Sequence, residues 1–95
     1  SFYGLDNLKL LHLGSNLIEL IGEGGFNGLF SLTELDLSHN KIEIIKNRSF
    51  SGLHNLKKLC LNANSIASFE DGAFLCLNNL NELDLSGSKI EQINF

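Results

Sequence analysis

Leu32–Ile45 reads LTELDLSHNKIEII, and the same pattern stands 24 residues to either side. Upstream, Leu8–Ile21 reads LKLLHLGSNLIELI. Downstream, Leu56–Phe69 reads LKKLCLNANSIASF and Leu80–Ile93 reads LNELDLSGSKIEQI. Leucine fills three columns: Leu8, Leu32, Leu56 and Leu80; Leu11, Leu35, Leu59 and Leu83; Leu13, Leu37, Leu61 and Leu85. Asn16, Asn40 and Asn64 form a fourth column, which Ser88 continues, and Ile18, Ile42, Ile66 and Ile90 form a fifth. Between these stretches, Phe2, Phe26, Phe50 and Phe74 align, as do Leu5, Leu29, Leu53 and Leu77. Self-similarity at a fixed period of about 20–50 residues marks a solenoid, in which each unit buries its apolar face only against its neighbours.

The unit itself is physically readable. In Leu35-Asp36-Leu37, alternation with period two predicts a short strand, with the leucines inward and Asp36 outward. The period then breaks at asparagine, a turn residue whose side chain bonds nearby backbone. Stacked asparagines are expected to bond the backbone of adjacent coils, since a buried amide left unpartnered costs roughly 1–3 kcal/mol. The strands align as a parallel sheet with a spacing of about 4.8 Å. The return path, such as Gly22–Ser31, is too short and glycine-rich for a long helix. Loops, turns and short 3₁₀ pieces are expected there.

This constellation resembles the leucine-rich repeat family in its 24-residue form, and the resemblance covers the whole chain. It implies an α/β-class solenoid: a curved horseshoe segment with a concave parallel sheet of about four strands and a convex side of loops and 3₁₀ turns. The 24-residue form is similar to extracellular and secreted members. Many of those carry proline after the last aliphatic column, where this chain has Gly22, Lys46, Glu70 and Asn94. That departure is more similar to Toll-like receptor ectodomains than to small proteoglycans. The resemblance implies a binding module recognising a protein or microbial ligand on the concave or lateral face, with possible receptor dimerisation. A secreted, matrix or adhesion protein with the same coil is the alternative, and in a third reading this segment is a structural spacer.

Residues 1–95 read as one segment: a lead-in over 1–6, repeats over 7–30, 31–54 and 55–78, and a truncated repeat over 79–95. Neither end carries the cysteine-rich cap usual in extracellular solenoids, so the sequence is expected to be a slice of a longer array. No apolar run approaches the ~18 residues of a membrane helix. A net charge of -4, from 7 basic and 11 acidic residues, gives no overall pull towards nucleic acid or an anionic membrane. On that ground no nucleic acid partner and no membrane contact are expected, and no cofactor is implied.

Ligand contacts are expected on the columns the leucines leave free. These are Lys9, Thr33, Lys57 and Asn81; Leu10, Glu34, Lys58 and Glu82; and His12, Asp36, Cys60 and Asp84, with His39 just past the strand. The candidates are therefore His12, Glu34, Asp36, His39, Lys57, Lys58, Cys60, Glu82 and Asp84. Lys58 lies between Glu34 and Glu82, as in a cross-strand charge ladder. A nucleophile–base pair from Cys60 and His12 fails on distance, because two strand spacings put them about 9–10 Å apart with Asp36 between. Catalysis and a metal site are thus not expected. Cys60 on the concave strand and Cys76 on the far wall are too distant for a disulfide, which needs Cα atoms within about 7 Å. Cys60 is expected as an exposed thiol and Cys76 as a small buried residue. Asn47-Arg48-Ser49 matches the N-glycosylation acceptor pattern and falls on the return path, away from the sheet.

Overall fold

A computed structural model describes residues 7–88. The lead-in, with Phe2 and Leu5, and the column positions Ile90 and Ile93 lie outside the described residues. Four three-residue strands recur at the sequence period: β1 (Leu10–His12), β2 (Glu34–Asp36), β4 (Lys58–Cys60) and β6 (Glu82–Asp84). They form one parallel sheet in the order β1-β2-β4-β6. Its register pairs residues 24 apart, so Leu11, Leu35, Leu59 and Leu83 stand opposite one another. Alternation puts those leucines on the inner face, where Leu35 and Leu59 are fully buried.

Two further strands, β3 (Ile44–Ile45) and β5 (Ser68–Phe69), pair in parallel as a second, two-stranded sheet. The single-strand reading of each coil missed it. Ile45 and Phe69 face the core, and the outward places hold the half-buried Ile44 and the exposed Ser68. Among the described residues there is no helix. The convex wall is a train of tight turns with i→i+3 bonds, as in Leu53 N–H to Phe50 C=O at 3.3 Å and Leu56 N–H to Leu53 C=O at 3.3 Å. These satisfy the return path one turn at a time, without a run long enough to make a helix.

Between sheet and wall lies a single core of stacked leucine, isoleucine and phenylalanine. The phenylalanines form a spine: Phe26 and Phe50 stack with ring centroids 6.2 Å apart, and Phe50 and Phe74 with 6.1 Å. Phe50, in the middle, is fully buried.

The asparagine column behaves as a backbone substitute. Asn40 donates from Nδ2 to Leu13 C=O in the preceding coil at 3.0 Å and to Leu37 C=O in its own coil at 3.0 Å, and it accepts from Ile18 N–H at 3.2 Å. Asn64 repeats this towards Leu37 C=O (2.9 Å), Leu61 C=O (3.1 Å) and Ile42 N–H (3.2 Å). A second ladder runs along the return path, where Asn55 Nδ2 donates to Phe30 C=O and Asn79 Nδ2 to His54 C=O, each at 2.7 Å. The column Asn7, Ser31, Asn55 and Asn79 held that signal in the sequence.

Just before each asparagine-column residue the backbone turns left-handed: Ser15 (φ 59°), His39 (φ 56°), Ala63 (φ 58°) and Gly87 (φ 78°). The turn throws the chain off the sheet, and only Gly87 adopts it without a steric cost.

Ser88 breaks the asparagine column. Its hydroxyl is buried with no hydrogen-bond partner among the described residues. An asparagine there would reach Leu61 C=O, as Asn64 reaches Leu37 C=O. Ser88→Asn should therefore raise stability by about 1 kcal/mol, read as a higher urea midpoint at unchanged slope. An unchanged or lower midpoint would show that serine suits this coil better.

Candidate functional site: the polar columns of the concave sheet

The outward residues of β1, β2, β4 and β6 form a small polar grid. Parallel register sets His12, Asp36, Cys60 and Asp84 in one row and Leu10, Glu34, Lys58 and Glu82 in the next. Lys57 lies exposed just before β4, and His39 sits exposed in the left-handed turn beyond β2. Seven of the nine candidates thus share one face, with Lys57 just before it and His39 at its rim.

Their bonding differs from a simple charge ladder. Glu34 does not pair with Lys58. Its carboxylate accepts from His12 Nε2 at 2.7 Å, diagonally across β1 and β2. Lys58 turns instead to Glu82, with Nζ 3.5 Å from Oε2. The Glu82 carboxylate raises the Lys58 pKa, with smaller contributions from Cys60 and Glu34. Both pairs are solvent-accessible, and such contacts are worth little to stability.

Asp36 and Asp84 have a local task that the sequence reading did not assign. In Asp36-Leu37-Ser38 the carboxylate accepts from Ser38 N–H at 2.9 Å. In Asp84-Leu85-Ser86 it accepts from Ser86 N–H at 3.0 Å and from the Ser86 hydroxyl at 2.7 Å. These are Asx-type turns that cap the strand ends. The repeated Asp-x-Ser was the available signal. Both carboxyls are held below their ordinary value of 3.8, Asp36 chiefly by the Ser38 hydroxyl and then its N–H, Asp84 chiefly by the Ser86 N–H and then its hydroxyl. Depressed folded-state values mean that the stability these bonds contribute is complete above pH 3.8 and is lost as pH falls through those values. The urea midpoint should accordingly drop as pH is lowered from 5 to 3, measured by far-UV circular dichroism. Ser86→Ala should shallow that drop, because its hydroxyl bond to the ionised Asp84 carboxylate is gone. A slope identical to the parent would assign the acid sensitivity elsewhere.

Cys60 and Cys76 are free thiols on opposite sides of the core. Neither matches the expected exposure. Cys60 is half-buried between Asp36 and Asp84 of the neighbouring strands, and Cys76 is half-buried on the convex wall, where its Sγ donates to Phe50 C=O at 3.1 Å. Burial raises both thiol pKa values, and the Asp36 charge adds to the shift at Cys60. A protonated thiol is a poor nucleophile. Among the described residues no group of three or more His, Cys, Asp or Glu is placed to hold a metal ion.

A face of this kind, rigid in backbone and varied only in outward side chains, is what a binding solenoid presents. The family model described as "Leucine rich repeat" matches residues 1–42 and 31–90. The chain belongs to the leucine-rich repeat family. No curated protein matches it. Among solved structures, this leucine-rich repeat chain is similar to one in "Crystal structure of TLR13-ssRNA13 complex", with TM-score 0.80 and 41% sequence identity. The match covers 90% of this chain and 12% of the other, so the chain spans about an eighth of that protein's length. The similarity gives a Toll-like-receptor-type repeat segment.

One expectation is overturned by this neighbour. Nucleic acid was excluded on net charge, yet a chain 41% identical is found in a complex with single-stranded RNA. The exclusion fails because net charge sums the whole surface, whereas a binding site is made by the few groups that reach it. In this leucine-rich repeat chain Lys58 stands outward on β4, and Lys9 and Lys57 lie exposed just before β1 and β4.

Proposed function

We propose that this chain is part of the ectodomain of a Toll-like pattern-recognition receptor, facing the extracellular side, and that it presents its concave sheet and rim to a ligand. The observation that carries the reading is the 41% identity and 0.80 TM-score to the TLR13 chain, maintained across 90% of this one. The contact residues would be His12, Glu34, Asp36, His39, Lys57, Lys58, Cys60, Glu82 and Asp84. Receptor dimerisation and microbial or protein ligands belong to the same reading. Single-stranded RNA is the first ligand to test, because it is the one named with the TLR13 chain.

The test is RNA binding by the intact ectodomain that contains these residues, with and without Lys57→Glu and Lys58→Glu, across a salt series. Two lost phosphate contacts on a single strand should flatten the slope of log K against log salt by about 1–1.5. Unchanged affinity and slope would remove RNA from this face.

A spacer role is the second reading, and a specific observation favours it. Asp36 and Asp84 are engaged in their own turns, while Glu34 and Glu82 each already hold a partner within the chain. Under that reading, charge reversal at Lys57 and Lys58 leaves every ligand affinity unaltered while stability moves little.

A further inference from the structure

We propose that Asn47 is an N-glycosylation acceptor that is modified only before its coil closes, leaving a glycan on the convex wall. Asn47-Arg48-Ser49 is the one such triplet in the sequence. Asn47 is exposed, and its backbone N–H donates to Glu70 Oε1 at 2.9 Å, which fixes the local chain. No hydrogen bond engages its side-chain amide among the described residues. Beside it lies an open depression of about 340 Å³, where Leu75 stands 75% exposed. A sugar attached at Asn47 has room there and an apolar side chain to lie against.

Ser49 is the opposite case. It is fully buried, its hydroxyl donates to Ile21 C=O in the preceding coil at 3.1 Å, and it accepts from Lys46 N–H at 3.1 Å. The acceptor pattern is defined by that hydroxyl, so a transferase must reach it as well as the amide. In the folded coil it reaches only the amide. The modification therefore precedes stacking of this coil on the preceding one, or awaits local opening.

In the transfer, Asn47 Nδ2 forms a bond to the anomeric carbon of a polyprenyl-diphosphate-linked oligosaccharide. The carbon–oxygen bond to the diphosphate breaks, the polyprenyl diphosphate leaves, and the amide proton passes to a base of the transferase. A glycan there would close the convex wall around Asn47 to macromolecular partners and direct them to the sheet side. For its natural occurrence the inference rests on the ectodomain reading.

Adding a cleavable secretory leader to the chain in a eukaryotic host separates the two. The secreted protein is expected to carry one glycan, released by an amidase that converts Asn47 to aspartate, and Asn47→Gln should abolish it. Secretion without a glycan overturns the site. Failure of the natural protein to enter the secretory route would instead count against the ectodomain reading. Timing is tested with unmodified bacterial protein, transferase and lipid-linked donor. The peptide spanning residues 44–52 should be modified at least about tenfold faster than the folded chain. Equal rates overturn the order of events.

Discussion

Phe50→Ala is expected to lower the unfolding free energy by about 3–5 kcal/mol, enough to abolish the folded baseline of a small domain. Phe50 is fully buried and stacked on both faces, 6.2 Å from Phe26 and 6.1 Å from Phe74. Truncation leaves a void between two coils whose sheet spacing is fixed by backbone hydrogen bonds. The walls cannot collapse to fill it, which is the condition for a large cavity cost. Phe74 is only partly buried and should cost less when truncated. Phe50→Leu, which keeps most of the volume, should retain a cooperative transition. The measurement is urea unfolding followed by far-UV circular dichroism, since the chain has no tryptophan. A Phe50→Ala midpoint close to the parent's would mean that the spine is not a principal source of stability.

Asn64→Ala is expected to cost about 2–4 kcal/mol, through groups left behind rather than volume lost. Asn64 serves Leu37 C=O, Leu61 C=O and Ile42 N–H in a nearly dry site. Alanine leaves them unpartnered, and the site admits little water. Asn16→Ala provides the contrast: Asn16 is exposed and, among the described residues, donates to Leu13 and Gly14 carbonyls of its own coil, so its loss should stay below about 1 kcal/mol. Equal effects at the two positions would show that the bonds between coils add nothing to the local ones. Hydrogen exchange at Ile42 N–H should report the same loss locally.

Most of the coil was legible because the inward residues recur. The columns of Leu35, Leu37, Asn40, Ile42 and Phe50 each had one structural solution compatible with a strand, a turn and a return wall. Three features escaped for reasons of chemistry. The β3–β5 sheet rests on Ile45 and Phe69, with dissimilar neighbours Ile44 and Ser68, so no regular alternation announced it. The pairing of Glu34 with His12 depends on a diagonal reach that column positions alone do not encode. Asp36 and Asp84 looked like outward contact residues, and their bonds to Ser38 and Ser86 emerge only once the turn geometry is known. The partner class was lost for a further reason: charge counted over a chain does not describe charge at a site.

The phenylalanine spine also acts as a gauge. Each ring rides on its own coil, and successive planes tilt by 10° and 15°. Ring centroids 6.1–6.2 Å apart, against about 4.8 Å between strands, make every coil a thin wedge with its broad end outward. A narrower side chain in the phenylalanine column would thin the wedge and open the arch, so the width of the outer wall sets the radius to which a partner must conform.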